Sequence, residues 1–167
     1  MGRGIYGVIV ITALLAGAGV ETAQSSAAVI ALPYRSATAQ ADPALESLVV
    51  ALIAQERRAA GLRPLAVSTG LRGVSRDYGR ELFARGFLSH RSPDGRDPLD
   101  RALAARIRFR LVGENLAYAD DVRTAHTRLM ASPPHRRNIL SPAFGRLGVG
   151  VLSAGRGGVI VVQVFTD

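Results

Sequence analysis

The sequence predicts an α+β domain in which helices and a small antiparallel sheet form a three-layer α-β-α sandwich. Stretches with helical spacing of apolar residues occupy most of the chain from residue 42 to residue 131. The chain then ends in two β-branched stretches, RLGVGVLS and GVIVVQVF, joined by a glycine-rich segment, which predicts a β-hairpin. The second stretch is apolar on both faces, so it must be covered on both sides, and layers of helix supply that cover.

Two of the predicted helices begin with the same Asp-Pro pair. Asp42 is a predicted N-cap, with Pro43 at the first helical position, and Gly61 ends that helix. Asp97 and Pro98 start another helix in the same way, and its leucines, Leu99 and Leu103, are predicted to face inward.

Two further helices are marked by apolar periodicity. One runs from about Ser68 to Arg85 and stops at Gly86, and the other spans residues 122–131. His126 lies inside the latter helix, at a predicted surface or half-buried position. The sequence shows no internal repeat, and we expect a single domain after the N-terminal segments.

The amino-acid composition limits the kinds of chemistry that the protein can perform. The 167 residues include no cysteine, which excludes disulfides, thiolate nucleophiles and cysteine-based metal sites. The formal net charge is +8, and the basic residues are all arginine. A basic exterior favours anionic surfaces such as lipid headgroups or acidic wall polymers. The arginines are scattered rather than clustered with aromatic residues, so specific nucleic-acid binding is not predicted.

The N-terminal residues have the layout of a secretory signal peptide. Arg3 precedes an apolar run over residues 5–20 and a small-residue region that follows it. We expect residues 1–27 to be removed after Ala27, which leaves no transmembrane segment; an uncleaved anchor is the alternative. Residues 28–41 are predicted to be a linker or a loosely attached arm, and residues 42–167 the domain. This layout predicts a secreted, extracellular or periplasmic protein.

Ser89 and His90 form the first candidate pair, in the stretch FLSH. Adjacent residues of an extended chain point to opposite faces, so Ser89 and His90 cannot readily form a catalytic hydrogen bond. The chain also lacks a G-x-S-x-G nucleophile elbow. These observations exclude a serine hydrolase and leave His90 either as a structural histidine at a loop edge or as a ligand.

Glu114 lies in VGENLAY, between apolar residues. Burying a carboxylate in such a setting is costly unless it is paired. The sequence leaves three roles open for it: an ion pair with an arginine, acceptance of a hydrogen bond from an imidazole, or general-base catalysis.

His135 follows two prolines in SPPH. The prolines end the preceding helix, and Ser132 or Pro133 caps a new short helix. His135 then lies at the positive end of that helix, which disfavours imidazolium and favours the neutral ring that metal binding needs. A histidine hydrogen-bonded in a turn is the alternative. Together His90, Glu114 and His135, from three separate loops, match the inventory of an open divalent-metal site.

Five motifs, in order, give the chain its resemblance to a known family. They are LIAQERRAAGLRPL, GFLSHRSPDGRDPLDR, VGENLAY, SPPHRRNILSPAFGRLGVGV and VVQVF. Over about residues 44–166 the chain resembles the CAP superfamily of cysteine-rich secretory, antigen 5 and pathogenesis-related proteins, in its bacterial SCP branch.

The resemblance implies a central cleft with a metal site. His90 and His135 correspond to the histidines of that cleft and would hold a divalent ion, for which Zn²⁺ is expected. Glu114 corresponds to its glutamate and would orient a histidine or a bound water. Ser132 stands where many members have a second acid, and Tyr78 where a further histidine is often found.

The resemblance and the composition leave three functions to compare. The first is a secreted, monomeric, non-enzymatic module that binds a small hydrophobic or cell-envelope ligand. The second is a metal-dependent hydrolase of peptides or wall polymers with Glu114 as base. The third is a lipid-binding or anionic-polymer-binding protein that uses its arginine-rich surface.

Overall fold

The structure is a computed structural model that describes residues 9–16, whose backbone forms a strand, and residues 29–167. The predicted cleavage point after Ala27 lies outside the described residues, and the proposed signal peptide remains a prediction.

The helices lie where capping and periodicity predict them. The four helices predicted from these signals are confirmed, and so is the short helix, which begins at the two prolines. Their bounds are α1 Pro43–Ala59, α2 Thr69–Arg85, α3 Pro98–Ala104, α4 Val122–Ala131 and α5 Pro133–Ile139. Among the described residues, no helix combines the length and the apolar character that crossing a membrane requires.

The capping residues act as the sequence predicts. Asp42 accepts hydrogen bonds from the backbone nitrogens of Ala44 and Leu45, both at 3.0 Å. Asp97 forms a capping box with Asp100 at the start of α3. Gly86 ends α2 in the left-handed conformation, with φ of 71°, which glycine adopts without strain.

The strands form a larger sheet than the predicted hairpin. Their bounds are β1 Ile9–Ala16, β2 Ile30–Ala31, β3 Gln40–Ala41, β4 Ala66–Val67, β5 Phe87–Leu88, β6 Leu111–Ala119, β7 Arg146–Ser153 and β8 Val159–Thr166. In the main described sheet the order is β1-β6-β8-β7-β3, with β4 pairing in parallel with β7. The predicted hairpin is confirmed as β7 and β8, which pair antiparallel.

The strand β6 was missed by the sequence analysis, which treated Glu114 as a loop residue. Both faces of β6 are covered, so its residues do not alternate between apolar and polar. Glu114 and Asn115 also interrupt its apolar run. Pairing with β8 along its whole length fixes this segment as a strand.

Helices cover both faces of the sheet and so complete the predicted α-β-α layers. One core lies between the sheet and α2, and the other lies beneath α1, α4 and α5. The approach of α2 to β7 is close because β7 carries glycines there. A Cβ atom built on Gly148 would lie 2.2 Å from the backbone carbon of Leu71.

Residues 29–41, most of the segment predicted to be a linker or arm, pack along the domain. β2 pairs with β5, and β3 pairs with β7. Leu32 and Ala39 are buried in the core on the α2 side of the sheet. This segment therefore contributes side chains to the same core as α2.

One predicted core position is wrong. The sequence predicts that Leu103 faces inward from α3, but its side chain is 56 % exposed. Arg101 and Ala102 are buried instead. The short α3 is oriented by the polar contacts of Arg101 with His90 and Glu114 rather than by leucine spacing.

Candidate functional site

Two candidate residues meet on the α2 side of the sheet. His90 follows β5, and its Nδ1 atom lies 2.7 Å from Oε1 of Glu114 in β6. His90 is 6 % exposed and Glu114 is fully buried. The carboxylate accepts the imidazole N–H, which is one of the three roles that the sequence left open for Glu114.

An arginine that the sequence analysis missed completes this cluster. Nη2 of Arg101 donates to Oε1 and Oε2 of Glu114, at 3.0 and 2.9 Å. The same nitrogen donates to the carbonyl oxygen of His90 at 3.1 Å. Arg101 is 6 % exposed, so the Glu114 charge is compensated inside the protein, as a buried carboxylate requires.

Tyr78 supports Arg101 from α2. The Arg101 Cζ atom lies 3.4 Å from the centroid of the Tyr78 ring, a cation-π contact. The Tyr78 hydroxyl donates to the carbonyl oxygen of Ser89. Burial raises the pKa of Tyr78 above its ordinary value, so the hydroxyl remains a proton donor. Tyr78 occupies the position where the family resemblance leads one to expect a histidine.

His135 lies on the opposite side of the sheet, in the first turn of α5. Its Nδ1 atom is 2.6 Å from Oγ of Ser132, and the residue is 4 % exposed. The Ser132 side chain therefore bonds the His135 ring and makes no capping bond to the backbone of α5. Where a second acid was expected, the structure has a hydroxyl that orients the imidazole.

Three buried amides hold α5 against β6. Asn115 donates through Nδ2 to the carbonyl oxygen of His135 at 3.2 Å and to Oε1 of Gln163 at 3.0 Å. Asn138 donates to Oδ1 of Asn115 at 2.9 Å. The sequence analysis missed Gln163; its signal was a polar residue inside the otherwise apolar strand β8, directly opposite Asn115.

The strand β6 links the two groups. Glu114 and Asn115 are adjacent in a strand, so their side chains point to opposite faces of the sheet. Glu114 contacts His90 on one side, and Asn115 contacts His135 on the other. The three predicted site residues thus lie around one short segment of β6, but they are buried there rather than exposed in an open cleft.

A family comparison identifies the domain. Residues 50–165 match the CAP family, described as the cysteine-rich secretory protein family. The chain belongs to the CAP family. It is 32 % identical over 113 residues to the uncharacterized protein YkwD of Bacillus subtilis (strain 168). That match covers 67 % of this chain and 44 % of YkwD.

Solved structures share the fold. An extracellular protein containing a SCP domain from Bacillus anthracis (strain Ames) superposes with a TM-score of 0.68 and 26 % identity, covering 74 % of this chain and 40 % of its own. An outer surface protein from Borrelia burgdorferi gives a TM-score of 0.72 at 20 % identity, covering 78 % of this chain and 98 % of its own. The chain thus spans less than half the length of YkwD and of the Bacillus anthracis protein.

The residues of this CAP domain fit a divalent ion in part. A neutral imidazole that donates its Nδ1–H to a carboxylate, as the His90–Glu114 contact allows, has a lone pair on Nε2. That Nε2 is buried without a hydrogen-bond partner among the described residues. In His135, Ser132 engages Nδ1, so Nε2 would be the ligating atom. Within residues 9–16 and 29–167, His, Asp and Glu side chains form no group of three or more that could hold a metal ion.

Proposed function

We propose that this CAP domain is exported and acts outside the cytoplasm as a non-enzymatic binding module. The predicted signal peptide supports export. The similarity to an extracellular protein of Bacillus anthracis supports the same location. Its ligand would be a small hydrophobic or cell-envelope molecule, bound beside His90 and His135 at the β6 edge.

The contacts of Glu114 support a binding function rather than hydrolysis. Both carboxylate oxygens accept from Arg101, and one of them also accepts from His90. A general base needs a carboxylate oxygen within hydrogen-bond reach of the water it activates. Glu114 is instead suited to fixing the tautomer and orientation of His90, as carboxylates behind metal-binding histidines do.

We further propose that Nε2 of His90 and Nε2 of His135 hold a divalent ion at the outer edge of β6, where side chains from the two faces of the sheet can meet, with Zn²⁺ as the first candidate. An ion bound there would anchor an anionic or carbonyl oxygen of the ligand. Glu114 holds the ring of His90, and Ser132 holds the ring of His135. Two imidazoles make an incomplete ligand set, so oxygen atoms of the bound ligand would fill the remaining positions.

Calorimetric titration with Zn²⁺ tests the metal part of this proposal. His90→Ala and His135→Ala should each weaken binding by about tenfold or more, since each removes one ligand. His126→Asn is the matched control, because it removes the remaining histidine, which lies in α4 beside Glu56. Equal Zn²⁺ affinity in wild type, His90→Ala and His135→Ala would refute the metal site.

Hydrolysis assays test the non-enzymatic part. The chain and its Glu114→Gln variant should both leave casein and purified peptidoglycan unchanged, with and without Zn²⁺. Turnover by the wild type that disappears in a folded Glu114→Gln variant would instead identify the hydrolase, with Glu114 as its base.

A surface depression favours a second candidate function, binding of anionic amphiphiles. Three arginines, Arg35, Arg85 and Arg91, line a depression of about 680 Å³ together with apolar Val29 and Phe87. Cations around an apolar floor suit a molecule with an anionic head and an apolar body. Co-sedimentation with phosphatidylglycerol vesicles should decrease with salt, decrease in a triple Arg→Gln variant, and persist in His90→Ala. Binding that is insensitive to salt and to the triple variant would exclude this role.

A further inference from the structure

The outer edge of β6 carries a strand from the N-terminal part of the chain. β1 pairs antiparallel with β6 over eight residues, from Ile9 opposite Tyr118 to Ala16 opposite Leu111. In this register Ala13 lies opposite Glu114, and Thr12 lies opposite Asn115. The added strand therefore runs past both residues that contact the candidate histidines.

Two helices flank this edge. Both α3, which carries Arg101, and α5, which carries His135, lie against β1. The residues of β6 from Val112 to Ala119 are buried. A segment on this edge therefore meets the backbone N–H and C=O groups of β6, with α3 and α5 in contact with it. When no strand covers such an edge, its backbone groups are a ready template for another strand.

The two edges of the described sheet are covered differently. The outer edge of β7 is covered by β3 and β4. The strand β3 belongs to the segment of residues 29–41 that packs on the domain, and β4 lies between α1 and α2. The outer edge of β6 is covered by residues 9–16, which lie inside the predicted signal peptide. Export with cleavage would remove that cover and leave β6 open beside the site.

We propose that the outer edge of β6 is a binding site for an extended, uncharged peptide, which pairs with β6 as an added antiparallel strand. In the precursor, Ile9–Ala16 occupies this edge and prevents the peptide from binding. This inference rests on the export in the proposed function, and it names the ligand class of the same site. The occupying segment, IVITALLA, has no charge and no proline. Because recognition would use backbone hydrogen bonds, the peptide need only be extended and free of proline, and its side chains can vary.

Cleavage of the folded full chain tests the site. A sequence-specific protease site is placed between Val20 and Ser26, the purified chain is cut, and the N-terminal fragment is separated. A fluorescent IVITALLA peptide with arginines at both ends is the probe. The cut chain should bind it about tenfold or more tightly than the uncut chain, because a tethered segment competes at high effective concentration. Equal binding, or none, by a cut chain with unchanged circular dichroism overturns the proposal.

A modified peptide tests the mode of binding. Methyl groups on two adjacent backbone nitrogens remove one N–H that faces β6, whichever residue of the pair presents it. This peptide should lose binding to the cut chain, whereas the same peptide in unmodified form binds. Retained affinity would overturn strand addition.

Proline substitutions in the uncut chain test whether β1 blocks the outer edge of β6. Ile11→Pro with Thr12→Pro removes the N–H of two adjacent strand residues, so the variant should bind the probe peptide without cleavage. Ala18→Pro with Gly19→Pro, outside β1, is the matched control and should exclude the probe as the wild type does. If both variants exclude the probe peptide equally, pairing of β1 with β6 does not block the peptide site.

Zn²⁺ titration of the cut chain separates this inference from the metal proposal. Zn²⁺ binding without peptide binding refutes the peptide site alone. Peptide binding without Zn²⁺ binding supports the peptide site and refutes the metal proposal alone.

Discussion

One guanidinium nitrogen of Arg101 contacts both carboxylate oxygens of Glu114, at 2.9 and 3.0 Å, in the interior of the domain. Thirteen positions separate the two residues in the chain, and α3 and β6 bring them together. This pair turns Glu114 from a candidate base into the fixed partner of His90, and it makes Arg101 the residue on which the site most depends.

Removal of Arg101 should be strongly destabilising. Arg101→Ala leaves the Glu114 charge uncompensated in the interior, which lowers the free energy of unfolding by about 3–5 kcal/mol. Arg128→Ala, at an exposed position of α4, is the matched control and should change it by less than about 0.5 kcal/mol. Urea denaturation followed by circular dichroism measures both, and a similar small change in the two variants would contradict the assigned role.

The Tyr78 hydroxyl and ring should contribute separately. Tyr78→Phe keeps the ring under Arg101 but leaves the Ser89 carbonyl oxygen without its donor, at a cost of about 1–3 kcal/mol in the free energy of unfolding. Tyr78→Leu removes the aromatic ring as well and should cost more. Equal midpoints for wild type and Tyr78→Phe in urea would show that the hydroxyl bond contributes nothing.

The buried amide Asn115 should hold α5 in place. Asn115→Asp presents a carboxylate to the carbonyl oxygen of His135 and to Oε1 of Gln163, where two hydrogen bonds are lost. We expect a loss of about 2–4 kcal/mol in the free energy of unfolding and increased hydrogen exchange in α5. Asn115→Asp with wild-type exchange across residues 133–139 would argue against the amide network as the support of His135.

His126 should make stability depend on pH. The sequence predicts a surface or half-buried position, but the side chain is buried. Burial lowers the pKa of His126, and Glu56, 3.6 Å from Nε2, raises it in part. In the unfolded chain His126 has a pKa of about 6.5, so it takes up its proton at a higher pH than in the folded protein. The contribution of neutral, buried His126 to the free energy of unfolding is therefore present above about pH 6.5 and is lost as the pH falls through the folded-state pKa.

Denaturation between pH 7.5 and pH 5, compared across variants, measures this effect. Stability should fall with pH less steeply in His126→Leu than in the wild type. Glu56→Gln should make the fall steeper, because it removes the charge that raises the pKa of His126. The His126 assignment is wrong if all three proteins show the same slope.

Two glycine-to-alanine changes should have opposite effects. Gly148→Ala places a methyl group against the backbone of α2 and should destabilise by about 1–3 kcal/mol or more, as overpacking does. Gly73→Ala, inside α2 with no atom within 4 Å of the new methyl group, should stabilise by about 0.5–1 kcal/mol. Thermal unfolding by calorimetry compares them, and a stabilising Gly148→Ala would contradict the close contact of α2 with β7.

The sequence by itself determined the helices, the terminal hairpin, the layered fold and the family. These features depend on signals between near neighbours: Asp42 caps the helix that Pro43 begins, the prolines after Ser132 divide α4 from α5, and apolar residues recur at fixed spacing. The same local motifs placed His90, Glu114 and His135 on the list of site residues. Local spacing could not show what each of these side chains contacts.

Only the tertiary structure decided those contacts. The pairing of β6 with β8 made Glu114 a strand residue, the fold of α3 turned Arg101 inward and Leu103 outward, and the contact of α5 with β6 aligned Asn115 with His135. Each contact joins residues that are distant in the chain, and its stability comes from burying charges and amides only where partners meet them. The chemistry available to Glu114 was therefore set by Arg101, whose inward position no periodic pattern predicts.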